Sequence, residues 1–239
     1  MNDTERAIQA DALQYARANR NRIARQLTNP DIFVPEECPV SVFMAGSPGA
    51  GKTEASLELI SEYERLGAER VLRIDPDELR CQFPGYDGAN SWLFQGAVSL
   101  LVERIHDLAL RQSQSFLLDG TLSSYEVAAG NVRRSVKRGR LVQVLYVYQD
   151  PRLAWAFVTA RERSEGRRIL QETFVDQYFA AREVVNRLKQ DFGKGIRVDL
   201  LLKNNDGSHR MYKAGVDRID NHVPEKYSRT DVERLIGGL

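Results

Sequence analysis

Long hydrophobic runs are missing from this sequence. None of its 239 residues belongs to an apolar stretch approaching the about 20 needed to cross a bilayer. The opening segment, MNDTERAIQADALQYARANRNR, is too polar for a secretory leader. Cysteine is scarce as well. Cys38 and Cys81 form neither a disulfide framework nor a zinc-ligand spacing, and they read as buried or idle thiols in a reducing compartment. An excess of charge of one sign is also absent: 34 basic and 33 acidic residues leave a formal net charge of +1. No global field therefore draws the chain to nucleic acid or to an anionic membrane. With no internal repeat and no low-complexity tract, a cytoplasmic globular protein with a sizeable core is expected.

What the sequence does have is a rhythm. Residues 4–27 read as one helix, with Ala7, Leu13, Tyr15 and Ile23 recurring among polar residues. Three prolines in TNPDIFVPEECP (28–39) then break the pattern and suggest a linker. From Val40 the chain alternates short apolar segments with helical ones. Strands are expected at 40–45, 71–75, 115–119, 141–148 and 196–203, and helices at about 52–66, 91–113, 123–138, 151–163 and 171–192. Such alternation predicts an α/β fold with a mostly parallel five-stranded sheet and helices on both faces, a three-layer sandwich of the P-loop kinase type. Two regions follow: an N-terminal helical arm and linker over 1–39, and a kinase-type domain over 40–239.

Gly46-Ser47-Pro48-Gly49-Ala50-Gly51-Lys52-Thr53 matches G-x-x-x-x-G-K-[ST] between an expected strand and an expected helix. Its glycines let successive N–H groups turn inward as an anion nest backed by a helix N-terminus. Lys52 then reaches the β- and γ-phosphates of ATP, and the Thr53 hydroxyl holds Mg²⁺. These eight residues are the candidate nucleotide-binding loop.

Three stretches bear on where the phosphate goes. In RIDPDELR (73–80), Asp75 and Glu78 have the spacing of a reciprocal helix cap. Asp77 stands in the first turn beyond a strand's carboxyl end, where open α/β sheets place their ligands. It is the candidate general base for a substrate hydroxyl, with dipole complementation as the plainer alternative. In SFLLDGTLSS (115–124), Asp119 takes the place of an aspartate that holds the metal shell or a substrate hydroxyl. Gly120 follows it, where motor-type ATPases carry a water-activating glutamate. Thr121 is a candidate to orient substrate, or else a cap for the next helix. No N-K-x-D motif marks a GTPase, and KNNDG (203–207) reads as a turn. In TARERSEGRRILQETF (159–174), Arg161, Arg163, Arg167 and Arg168 crowd around Gly166 as a candidate lid over the transferring phosphate. A second basic run, RRSVKRGR (133–140), is accounted for by a helix end and a solvated face.

With Lys52, Asp77, Asp119, Thr121 and the arginine segment taken together, residues 40–205 resemble the zeta-toxin family of P-loop kinases. The resemblance implies transfer of the ATP γ-phosphate to the 3′-hydroxyl of the N-acetylglucosamine in UDP-N-acetylglucosamine, poisoning cell-wall synthesis. It implies Lys52 on the phosphates, Asp77 as base, Asp119-Gly120-Thr121 on the acceptor, and lid contacts from Arg161 or Arg163 and from Arg167. A small-molecule nucleotide acceptor and an antitoxin protein are the implied partners. The family's best-studied form has glutamate where Asp119 stands. Residues 81–98 match it only loosely, with Tyr86, Asn90 and Trp92 as candidate substrate contacts and core packing the favoured role for Trp92. Related kinases with this layout phosphorylate NAD, so NAD, a nucleoside or a polynucleotide end is the alternative acceptor. The basic runs lack the interleaved aromatics of a strand-binding channel. A non-catalytic nucleotide switch is a further alternative. The N-terminal arm, too short for a fused three-helix antitoxin, either packs on the core or offers a docking face.

Overall fold

The fold was analysed on a computed structural model that describes residues 1–166, 169–203 and 210–238. A long helix α1 (Asp3–Leu27) opens the chain, started by a capping box between Asn2 and Glu5. Strand β1 (Val40–Ala45) leads to α2 (Lys52–Arg65), and β2 (Leu72–Ile74) leads to the single-turn α3 (Pro76–Leu79). Helix α4 (Gln95–Arg111) precedes β3 (Phe116–Leu118), and α5 (Tyr125–Val136) precedes β4 (Leu141–Tyr148). Next come α6 (Pro151–Glu165), α7 (Gln171–Phe192), β5 (Arg197–Lys203), β6 (Arg210–Lys213) and α8 (Arg229–Gly237).

The sheet runs β2-β3-β1-β4-β5-β6, the first five strands parallel and β6 antiparallel to β5. The expected five strands are all present, and a sixth closes one edge. Its sequence, Arg-Met-Tyr-Lys, has no apolar run, and Met211 and Tyr212 are exposed, so it gives no buried-strand signal. The turn read into KNNDG lies outside the described residues beyond Lys203.

Strand alternation divides the interior into two cores. Phe43, Phe116, Leu118, Val144, Tyr146, Val198 and Leu200 face a large core shared with α1, α4, α5, α6, α7 and α8. Their neighbours Val42, Met44, Leu117, Leu145, Val147 and Leu201 face a smaller one closed by α2 through Ala55, Leu59, Ile60 and Tyr63. This is the three-layer arrangement. Phe43 is fully buried, edge-on to Phe116 at 5.9 Å and to His106 at 6.1 Å. Burial pushes the His106 imidazole down to about 3, with Arg134 and Arg140 adding to the shift, so it packs as a neutral ring.

Helix α1 buries Ala12, Ala16, Ile23 and Ala24 in the large core, against α4. Ala7 is exposed, so the inward face follows the i, i+4 line through the small residues. The proline-rich segment is pinned rather than loose: Gln114 Nε2 donates to the carbonyls of Thr28 (3.0 Å) and Phe33 (2.7 Å), and the Glu36 amide donates to Ser113 O at 2.8 Å. The basic run is largely absorbed. Arg134 pairs with Asp107, and the buried Arg140 donates to Ser41 Oγ at 2.7 Å and to Val40 O at 3.0 Å. Cys38 and Cys81 are both free and exposed, so of the two expected alternatives, buried or idle, burial does not hold.

Replacing Phe43 with Ala should lower the unfolding free energy by about 3–5 kcal/mol in urea titrations. Val127→Ala, at a 63% exposed position of α5, should change it by less than about 0.5 kcal/mol.

Candidate functional site

Parallel strands deliver their carboxyl ends to one edge of the sheet, and four neighbouring ends build the site. Beyond β1 lies the glycine loop. Gly46 has φ +137°, and a Cβ there would sit 2.4 Å from the Val147 carbonyl oxygen of β4. Gly49 has φ +71°, and its Cβ would lie 2.1 Å from the Ala154 oxygen in α6. Both positions therefore require glycine on conformation and on space. Gly51, at φ +79°, starts α2 without a side-chain cap, leaving first-turn N–H groups for an anion.

Lys52 folds back over this loop, its Nζ donating to Gly46 O at 3.0 Å and Ser47 O at 2.7 Å. Desolvation lowers its ammonium to about 8, against the pull of Asp119, Asp77 and Asp75 and with a push from Arg161. Charges from β2, β3 and the end of α6 thus converge on one amine. Thr53 is exposed on the first turn of α2.

Beyond β2, Asp75 caps α3 by accepting the Asp77 amide at 2.7 Å. The expected reciprocal bond from Glu78 is not made, because Glu78 turns to Arg73 at 2.6 Å. Arg73 escaped the sequence reading altogether. Its Nη2 donates to Asp75 Oδ2 at 2.5 Å and to Asp119 Oδ2 at 2.6 Å, and its Nε to Ser56 Oγ at 3.1 Å. Desolvation raises the Asp75 carboxyl above its ordinary value while Arg73 works against the shift. An arginine between two buried aliphatics, Leu72 and Ile74 of the edge strand β2, was the available signal. Asp77 itself is half-buried and ion-paired with Arg80, whose Nη2 also donates to Gln95 Oε1 at 3.2 Å.

Beyond β3, the Asp119 amide donates to Ile74 O at 2.9 Å, and its carboxylate accepts Ser56 Oγ at 2.9 Å as well as Arg73. Thr121 O receives the Gly46 amide at 3.3 Å, tying this segment to the glycine loop. Its hydroxyl pairs with Ser123 at 3.2 Å, and the N-cap of α5 is Ser124, so the helix-cap alternative for Thr121 fails.

Beyond β4, α6 carries Arg161 and Arg163, both exposed, and ends at Gly166 with φ +72°. Of the candidate lid arginines, Arg161 bears on Lys52 through its charge. Arg167 and Arg168 lie outside the described residues. A Cβ on Gly166 would approach Ala89 at 3.5 Å, so the end of α6 lies against the 85–90 turn. There Asn90 Nδ2 donates to Gly85 O at 2.8 Å, its amide donates to Asp87 Oδ1 at 3.0 Å, and Tyr86 packs edge-on against Phe94 at 5.6 Å. Trp92 is 53% exposed, which corrects its assignment to the core. Buried Leu93 and Phe94, next in the chain, fill the apolar space instead. A cleft of about 840 Å³ along α7, lined by residues including Arg182, Asn186 and Asp220, shares no residue with this site.

The sequence profile of the Zeta toxin family matches residues 23–217. The chain belongs to the Zeta toxin family. Members are kinase-type phosphotransferases, and the glycine loop with its downstream carboxylates falls wholly inside the matched region. No curated protein matches in sequence. Among solved structures, one from the PezAT chromosomal toxin–antitoxin system of Streptococcus pneumoniae is 18% identical, with a TM-score of 0.61, over 100% of this chain and 94% of that one. The AvrRxo1-ORF1:AvrRxo1-ORF2 complex with sulphate ions is 17% identical, with a TM-score of 0.57, over 91% and 71%. The same complex with ATP is 18% identical, with a TM-score of 0.55, over 87% and 66%. At these identities the likeness concerns the fold. No described helix is long and apolar enough to cross a membrane.

Gly49→Ala should lower stability by more than about 1 kcal/mol and weaken ATP binding, read by thermal melts with and without nucleotide. Gly130→Ala, in α5 with nothing within 4 Å of the added carbon, should stabilise by about 0.4–1 kcal/mol and leave the nucleotide-induced shift unchanged.

Proposed function

We propose that this chain is an ATP-dependent kinase that phosphorylates a hydroxyl of a nucleotide sugar, the 3′-hydroxyl of UDP-N-acetylglucosamine, and acts as a toxin held in check by an antitoxin in the cytoplasm. Family membership supports the reaction class. The observation that carries the reading is the placement of Asp77. It stands on the carboxyl edge two strands from the glycine loop, close enough to Lys52 for its charge to be felt there.

In this reading Gly46, Ser47, Pro48, Gly49, Ala50, Gly51, Lys52 and Thr53 cradle the triphosphate. Lys52 exchanges its two loop carbonyls for phosphate oxygens. The acceptor hydroxyl, held by Thr121, Asp119, Tyr86 and Asn90, gives its proton to an Asp77 carboxylate oxygen as its own oxygen attacks the γ-phosphorus. The bond from that phosphorus to the β–γ bridging oxygen breaks, and ADP leaves. Arg161, Arg163 and Arg167 take up charge spread over the γ-oxygens and close the site to water.

Mg²⁺ belongs to the same reading. The Thr53 hydroxyl and the Asp119 carboxylate are the hard oxygen donors of this reading, and Ser56 Oγ links their residues by contacting the Thr53 backbone carbonyl at 2.8 Å and Asp119 Oδ2 at 2.9 Å. Among the described residues no cluster of three or more acidic, histidine or cysteine side chains forms a metal cage. That donor set suits an ion that arrives with the nucleotide and neutralises the phosphates.

Purified protein given ATP, Mg²⁺ and UDP-N-acetylglucosamine should add one phosphate to the sugar nucleotide, detected by mass. Asp77→Asn should slow transfer by about 100-fold or more while ATP still binds. A gain of phosphate on NAD alone would move the acceptor, and transfer to no acceptor, with growth unaffected by expression, would remove the toxin kinase reading.

A further inference from the structure

One side chain touches both halves of the site. From the acceptor side, the Asp77 amide donates to Asp75 Oδ1 at 2.7 Å, and Asp75 Oδ2 accepts Arg73 Nη2 at 2.5 Å. From Arg73 the path continues to Asp119 Oδ2 at 2.6 Å and to Ser56 Oγ, which contacts the Thr53 carbonyl at 2.8 Å. Candidate base and phosphate loop are thus joined by an unbroken chain of short polar contacts, with a guanidinium at its centre. Arg73 is 11% exposed, Asp75 9% and Asp119 4%, so water competes little for these bonds.

We propose that Arg73 is a positioning residue that couples occupation of the glycine loop to the placement of Asp77. The inference rests on the kinase reading above and deepens it. The geometry calls for arginine specifically. A planar fork can serve Glu78 through Nη1, the two aspartates through Nη2 and Ser56 through Nε at once, whereas an ammonium offers a single point of charge. Three carboxylates come from two elements, α3 with its cap and the end of β3, and the hydroxyl comes from α2. When a nucleotide draws Asp119 and the first turn of α2 towards its phosphates, Arg73 must move with them. Asp75, and the turn that carries Asp77, follow. The other charges facing this cluster are Lys52 from the loop, Arg161 from α6 and Arg80 beside Asp77.

The test follows backbone amide resonances of the full chain as ATP with Mg²⁺ is added. In the wild type, Gly49 to Thr53 and Asp77 should all shift. In Arg73→Lys, which keeps a charge in the cluster and so favours folding, and in Arg73→Gln, the loop residues should shift as in the wild type. The Asp77 response should fall by about half or more. The direct field of the phosphates at Asp77 is common to all three proteins, so the difference reads the Arg73 route. For the transfer reaction both variants should lose at least about tenfold in kcat with little change in KM for ATP, lysine less than glutamine. An undiminished Asp77 shift in the folded variants overturns the coupling and leaves the kinase reading intact. Absence of any shift at Gly49 to Thr53 in the wild type overturns both.

Discussion

Asp75 and Asp119 sit at the ends of adjacent strands, nearly withdrawn from water, and one guanidinium between them makes that tolerable. Two like charges so close in a poorly hydrated pocket would drive each other to neutrality or drive the strand ends apart. A buried ion pair is seldom a net source of stability, because desolvation of both partners offsets their attraction. What it fixes is geometry. Here it sets the spacing of β2 and β3 at the edge where the chemistry is proposed, and it draws in Ser56 from α2, the helix that follows the phosphate loop.

The parts of the fold that could be read in advance are those where one local rule dominates. Strand β4 was expected at the residues it occupies, because seven of its eight positions are apolar or aromatic and all after the first are buried. Helix α7 was likewise bounded correctly, between a polar first turn and the glycine that ends it. The glycine loop could be read because its backbone tolerates no side chain at Gly46 or Gly49, and the sequence carries that requirement openly. Legibility failed where meaning came from the other side of the sheet. Arg73 is one residue in a strand, and nothing near it in sequence announces Asp119, 46 positions away. Trp92 was assigned inward on hydrophobicity alone, whereas a short turn of 3₁₀ helix points its neighbours Leu93 and Phe94 into the core.

Family membership and the sheet order place the chain among kinase-type phosphotransferases without fixing the acceptor. The donor half of the site is built from backbone, which sequence drift hardly touches. The proposed acceptor half rests on side chains of the 85–90 turn and the residues after it. Specificity in this family is therefore to be sought on the β2 side of the glycine loop, and the reaction class on the loop itself.

Helix α1 gives that asymmetry a mechanical side. It lies along α4 and touches the 3₁₀ turn at Ser91–Phe94, with Tyr15 edge-on to Phe83 at 5.8 Å. The aromatic cluster of Phe83, Tyr86 and Phe94 is thereby clamped from outside by α1. A pull on the N-terminus would therefore act directly on the segment that underlies the proposed acceptor side. A binder gripping α1 would hold a handle on that segment.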